Sequence, residues 1–152
     1  MLFRSNFTGL EANIRLLGEN LLGTASPFES VQLKYSWLTS DTASNGFESN
    51  YVLDYLRNKV TLVLIQKLSK QISLSWSVNW QDRNGGYFQP GASEETLYPS
   101  FFTADLRLMH RSPKSSVFID ISNLFNKSYV DLGNVEQPGR WLKAGVTFAI
   151  GK

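Results

Sequence analysis

Ile72-Ser73-Leu74-Ser75-Trp76-Ser77-Val78-Asn79-Trp80-Gln81 alternates without a break. Ile72, Leu74, Trp76, Val78 and Trp80 fall on one parity, and Ser73, Ser75, Ser77, Asn79 and Gln81 on the other. Alternate side chains of an extended chain point to opposite faces, so the segment reads as a β-strand with one apolar and one polar face. The last stretch repeats the pattern, with Leu142, Ala144, Val146, Phe148 and Ile150 against Lys143, Gly145 and Thr147. Five further candidates lie near 7–17, 31–40, 52–68, 101–111 and 116–125. In 52–68, Val60, Leu62, Leu64 and Leu68 oppose Lys59, Thr61 and Lys67, with Val63 and Ile65 interrupting the polar face. In 101–111, Phe102, Ala104, Leu106 and Leu108 oppose Thr103, Asp105 and Arg107. The expected fold is all-β, an antiparallel meander of about seven strands.

The connections between strands fall into two sorts. Ser69-Lys70-Gln71 and Ser112-Pro113-Lys114-Ser115 are tight turns, whereas Asp41–Asn50, Asp82–Ser100 and Asn126–Gly139 are long, polar and Gly-containing. Strand ends facing the long connections are rich in Tyr, Trp and Phe. Outer-membrane barrels alternate short periplasmic turns with longer extracellular loops in this way. Gly18–Ser30 is the exception, a longer connection on the short side with room for a turn of helix around Leu21 and Leu22. A soluble β-sandwich also shows alternating strands and Gly-rich turns. Against it stand the charge-free apolar faces of the second, fourth and seventh strands, whose other faces carry the Ser, Thr, Asn, Gln and Lys that suit a wet lumen.

Composition narrows the classes. Of 152 residues, 42% are apolar, 13% are aromatic, with four Trp, six Tyr and ten Phe, and mean hydropathy is −0.19. Apolar runs such as Leu62–Ile65 fall far short of the roughly 20 residues of a spanning helix. The net charge of +2 comes from dispersed Lys and Arg, with no basic stripe for nucleic acid. Cysteine is absent, which excludes disulfides and Cys-based metal sites and is compatible with the cell envelope. Met1–Phe7 lacks an apolar stretch of roughly 7 to 15 residues, so an exported protein would carry its signal upstream of this chain.

The C-terminal residues carry a resemblance. Asn123-Leu124-Phe125-Asn126-Lys127-Ser128-Tyr129, then Gln137-Pro138-Gly139-Arg140, then a terminal amphipathic strand, resembles the closing segment of TonB-dependent receptors. Gly9-Leu10-Glu11 and Tyr35-Ser36-Trp37 extend the resemblance more weakly over the chain. It implies the last seven strands of a transmembrane barrel of about 22, open and curved on its own, with residues 1–152 forming the C-terminal part of the barrel domain and the plug domain and signal peptide absent. The expected function is a share in uptake of a large scarce nutrient of the siderophore-iron, cobalamin or glycan type. The expected location is the bacterial outer membrane and the expected partners are its lipid and the barrel-assembly machinery. The TonB complex would be met only through an N-terminal part of such a receptor. Lys143, Gly145, Phe148 and Ile150 resemble the assembly signal of barrel proteins, although many of these end on an aromatic residue and this chain continues through Ala149-Ile150-Gly151-Lys152. A self-contained small barrel with a structural or adhesive role, and a soluble sandwich binding module, are the alternatives.

Individual residues carry further expectations. Asn123 suits a side-chain cap of a turn, and Pro138-Gly139 a fixed φ followed by a permissive one. Arg140 has Asp120 and Glu136 as candidate partners or stands as a solvated charge. Tyr87, Phe88 and Tyr98 either contact a ligand from the loop side or order the rim, and Asn84-Gly85-Gly86 reads as a loop tip. A Ser-His nucleophile has only His110 to serve it, and that residue reads as an interface group at a strand end. Asp82, Glu94 and Glu95 read as solvated loop carboxylates. No enzymatic activity and no cofactor is expected.

Overall fold

The computed structural model describes residues 6–23, 26–41, 54–132 and 135–149. The order is β1 (Asn6–Leu17), α1 (Gly18–Leu22), β2 (Phe28–Asp41), β3 (Leu56–Lys67), β4 (Ile72–Arg83), β5 (Gly86–Phe88), β6 (Glu95–Leu97), β7 (Phe101–Arg111), β8 (Ser115–Ser122) and β9 (Trp141–Phe148). The seven long strands form one antiparallel sheet in the order β1-β2-β3-β4-β7-β8-β9, and β5 pairs only with β6. Each long strand lies beside the next one in the chain. The meander is open, with β1 and β9 at its two edges running in the same direction.

Register fixes which residues share a face, because residues opposite one another in a ladder project to the same side. Leu16, Val31, Leu64, Trp76, Leu106, Ile121 and Leu142 make an apolar row across all seven strands. Ile14, Leu33, Leu62, Val78 and Ala104 make the neighbouring apolar row. Between them on the other face run Arg15, Gln32, Val63, Ser77 and Asp105, polar but for Val63, and one row further along it Asn13, Lys34, Thr61, Asn79 and Thr103 stand in line. The expected facing of β4 and β9 is therefore observed as far as Phe148; Ile150 lies outside the described residues.

The sheet has almost no core. Among the described residues only Tyr98 and Ala104 are buried apolar side chains, while Ile14 is 56% and Leu142 71% exposed. Among the described residues no second sheet of comparable size covers the apolar face. Exposed apolar side chains recur on all seven long strands, whereas monomeric soluble proteins ordinarily keep contiguous apolar patches to a few hundred Å². No described helix is long and apolar enough to cross a membrane, which has no bearing on spanning strands.

One end of the sheet is closed by short links and the other by long ones, as the sequence suggests. Ser69 Oγ accepts the backbone N–H groups of Gln71 and Ile72 at 3.2 and 3.0 Å, and Ser112 N–H donates to the Ser115 carbonyl at 2.7 Å around Pro113-Lys114. These links are joined to their neighbours: Arg111 N–H donates to Gln71 O at 2.8 Å, Ala149 N–H to Lys114 O at 2.9 Å and Lys67 N–H to Pro27 O at 2.7 Å. The longer link on this side does hold a helical turn, α1, where Gly18 sits against the Phe28 carbonyl with no room for a Cβ.

Several boundaries differ from expectation. β3 starts at Leu56, where a register irregularity between Leu56 and Asn58 interrupts pairing; Val52, Leu53 and most of the 41–50 connection lie outside the described residues. β8 stops at Ser122, not at residue 125, because Asn123 takes a left-handed φ of 49° that no strand can continue. The 82–100 connection loses its first two residues to β4 and folds part of the remainder into the β5–β6 hairpin.

With both edges and one apolar face uncovered, the isolated chain should associate with itself in aqueous buffer and disperse in detergent micelles. Sedimentation in the two media measures this. A monodisperse monomer without detergent would contradict the open-sheet account.

Candidate functional site

The polar face has an ionic centre where β7, β8 and β9 meet. Arg107 Nε and Nη2 donate to the two carboxylate oxygens of Asp120 at 2.6 and 2.7 Å, a two-pronged fit that holds the guanidinium in plane. Its Cζ lies 5.0 Å from the centre of the Phe118 ring. Phe118 in turn covers Gly145, where an added Cβ would lie 2.5 Å from the ring edge. Lys143 stands opposite Asp120 in the register. Guanidinium, aromatic ring and glycine thus clamp β9 laterally to β8 and β7.

At the long-connection end, Asn123 organises the chain's return to β9. It is 5% exposed, and its Oδ1 accepts Lys127 N–H at 2.9 Å while Nδ2 donates to the Lys127 carbonyl at 2.8 Å and the Pro138 carbonyl at 3.4 Å. Its own N–H donates to Asp105 at 2.8 Å. Asn126, also left-handed at φ 52°, accepts the Arg140 N–H at 2.8 Å through Oδ1, which packs against Gly139 where a Cβ would stand. Asn tolerates this conformation, and its carboxamide then replaces the missing ladder bonds. The capping role expected of Asn123 is observed.

For Arg140 the solvated alternative is the one observed. Asp120 is engaged by Arg107 and Glu136 accepts the Ser128 hydroxyl, so among the described residues neither forms an ion pair with Arg140, which is exposed. Asp82 differs from expectation: it ends β4, pairs with Arg57 at 2.7 Å and accepts from Asn58 at 3.1 Å. Its carboxylate is bound, not solvated. Glu94 and Glu95 are exposed as expected.

The β5–β6 hairpin stands on a second anchor. Tyr98 is buried, donates its hydroxyl to Asp54 at 3.0 Å, and lies 5.3 Å from the Tyr87 ring. Asn84-Gly85-Gly86 is the hairpin's base rather than a loop tip: Gly85, at φ 89°, presses against Asp54, and Asn84 N–H donates to Tyr55 O at 2.9 Å. Tyr98 is thus held in the anchor with the Tyr87 ring against it, while Phe88 is 56% exposed beside the turn. Arg83 links this anchor to the next, donating to the Asp54 carbonyl at 3.0 Å and to Asp131 at 2.7 Å, where Gln81 also donates. Nothing in the sequence pattern singled out Asp54, Arg83 or Asp131, because loop charges look alike until folding joins positions nearly fifty residues apart.

Of the motif residues, Asn123, Tyr129, Pro138 and Gly139 converge with Lys143 on a depression of about 370 Å³. Leu124 donates its N–H to Ala104 O at 2.7 Å, and Phe125 turns outward, edge-on to Phe102 at 6.0 Å. Lys143 and Gly145 lie on the polar face and Phe148 on the apolar one, 68% exposed. His110 sits between Ile72 and Val117 at the short-turn end of the apolar face.

The Tyr129 ring stacks 4.2 Å from Phe101. Burial, followed by the nearby carboxylates of Asp131 and Asp105, raises its hydroxyl above the ordinary phenol value. Its neutral form is the one the fold favours, so its contribution holds below the ordinary value and is lost as pH rises through the raised one. In an alkaline absorbance titration Tyr129 should ionise above the ordinary phenol range, and Tyr129→Phe should remove that late phase. Asn123→Ala should destabilise the chain by about 1–3 kcal/mol through stranded backbone groups, measured by denaturant unfolding in micelles. No protein-family model matches the chain, and no curated protein matches it in sequence.

Proposed function

We propose that this chain is the C-terminal barrel segment of a TonB-dependent receptor of the bacterial outer membrane, whose family imports large scarce nutrients such as iron chelates, cobalamin or glycans. The supporting observation is the apolar face: continuous from β1 to β9, free of a covering layer among the described residues, and backed by a polar face. Hydrocarbon is the environment that makes such a face favourable. Strands of 12 residues in β1, β3 and β4, and 14 in β2, meet the roughly 9 to 11 residues that a tilted spanning strand requires. Trp37, Trp80, Phe102 and Phe125 gather towards the long-connection end, where an interfacial aromatic girdle would lie.

On this reading the short turns face the periplasm and the long connections the exterior. The edges at β1 and β9 are where the rest of a closed cylinder pairs, since seven antiparallel strands cannot close on themselves without a parallel seam. β9, with Lys143, Gly145 and Phe148, and with Ile150 beyond it, offers the edge that the barrel-assembly machinery templates. Contact with the TonB complex belongs to another part of the receptor.

Leu74→Arg or Val78→Arg should cost about 2–4 kcal/mol of folding stability in bilayers, and Ser75→Leu far less. Refolding yield into phosphatidylcholine vesicles, read by heat-modifiable mobility, measures it. Tolerance of both arginines with failure of Ser75→Leu would mean that the two faces are reversed.

A further inference from the structure

We infer that Phe118 is a positioning residue of barrel assembly: seated over Gly145, it fixes the register of β9 and so the height at which that strand offers its free edge for closure. The register stands on the ladder alone; its use in closing a barrel rests on the reading above.

The 123–140 connection does not dictate this register by its length. Turn type and loop length fix the pairing across a tight hairpin, as at 67–72 and 111–115, but a long connection leaves the returning strand free to slide. Face polarity excludes only a slip of one position. A slip of two keeps every side chain on its own face: Ile119 would meet Leu142 or Val146 in place of Ala144, apolar against apolar in each case. Such a slip moves the edge by roughly 7 Å. A closed barrel needs one fixed stagger around its circumference, so a displaced edge would meet its neighbour out of step.

Side chains on the other face tell these registers apart. In the observed one Phe118 stands opposite Gly145, the only glycine of β9, and a Cβ built there would lie 2.5 Å from the ring. In the two slipped ones Phe118 would stand opposite Lys143 or Thr147, whose side chains need the space the ring fills. Arg107 holds the ring from the β7 side, its Cζ 5.0 Å from the ring centre, and is itself fixed by its fork on Asp120. Asp120 faces Lys143 only in the observed register, and would face Trp141 or Gly145 in the others. Gly145 belongs to the segment that resembles the assembly signal, and the residue that requires a glycine there lies one strand earlier.

The chain has no cysteine, so introduced pairs report register without background. Ile119→Cys with Ala144→Cys reports the observed register, and Ile119→Cys with Leu142→Cys or with Val146→Cys reports the two slips. Directly opposed Cα atoms lie about 4.5–5.5 Å apart, within disulfide reach, and a two-residue diagonal falls outside it. In the full chain refolded into zwitterionic micelles, the 119–144 pair should oxidise roughly tenfold faster than either slipped pair. Phe118→Ala should cut that preference to about twofold, and Gly145→Val should make a slipped pair the faster. Phe118→Gly combined with Gly145→Phe should restore the preference, and Asn126→Ala, which removes the tie to Arg140, should leave it intact. A preference unchanged in Phe118→Ala, or lost in Asn126→Ala instead, overturns the inference. Capture on liposomes carrying purified barrel-assembly machinery is read separately, and Phe118→Ala should lower it roughly fivefold. A register that shifts while capture stays the same overturns the assembly role, whereas a chain that shows these register effects yet is never captured, substituted or not, defeats the outer-membrane reading alone.

Discussion

Side chains of a strand alternate with a period of two, so one register, carried from Leu16 opposite Val31 across to Ile121 opposite Leu142, assigns every residue of the sheet to a face. Slipping any strand by one position would turn Trp76 or Leu106 into the polar face and bring Ser75 or Arg107 out among leucines. In a globular protein a buried core enforces such a register. Here there is almost none, and the work falls to backbone ladders, to the difference in polarity between the two faces, and to a few side chains that bridge strands. The fork of Arg107 on Asp120 is the chief of these, since both groups belong to the polar face only in the observed pairing.

The long-connection end solves a different problem. Chains leaving β4 and β8 must cross considerable distances before re-entering at β7 and β9, and their backbone polar groups need partners on the way. Asn123 and Asn126 supply them at one crossing, and Asp54, Arg83 and Tyr98 at the other. Asp131 joins the two crossings by accepting from both Gln81 and Arg83. The result is a rim in which separate connections share side-chain partners.

Much of the sheet was legible because it rests on local alternation: Ile72 to Gln81 and Leu142 to Phe148 display their faces without reference to any neighbour. The tight turns were legible for the same reason, since Ser69 and Pro113 act within a few residues. The β5–β6 hairpin was not, because Gly86-Tyr87-Phe88 and Glu95-Thr96-Leu97 are too short to establish a period. The end of β8 was missed because alternation continues through Leu124 and Phe125 while the backbone turns at Asn123. For Arg140 charge alone could not decide between an ion pair and a solvated group; the choice was made by Asp120 and Glu136 being engaged elsewhere. Asp82 was misjudged by its position beside a polar connection, with no sign in the sequence that Arg57 and Asn58 would face it.

The links at the short end are tied to one another almost wholly through main-chain atoms: Arg111 to Gln71, Ala149 to Lys114, Lys67 to Pro27. Main-chain bonds do not depend on which side chain is attached. Substitution along that rim can therefore accumulate across generations without disturbing the cross-ties, provided the lengths of the links, the bare Gly18 and the Ser69 hydroxyl are kept. The opposite rim is the reverse, because its cross-ties are made by carboxamides, carboxylates and a guanidinium with particular reach. Its lengths can vary only where they leave those few positions in place, so in related chains insertions should concentrate between the anchors, and identity should persist at them.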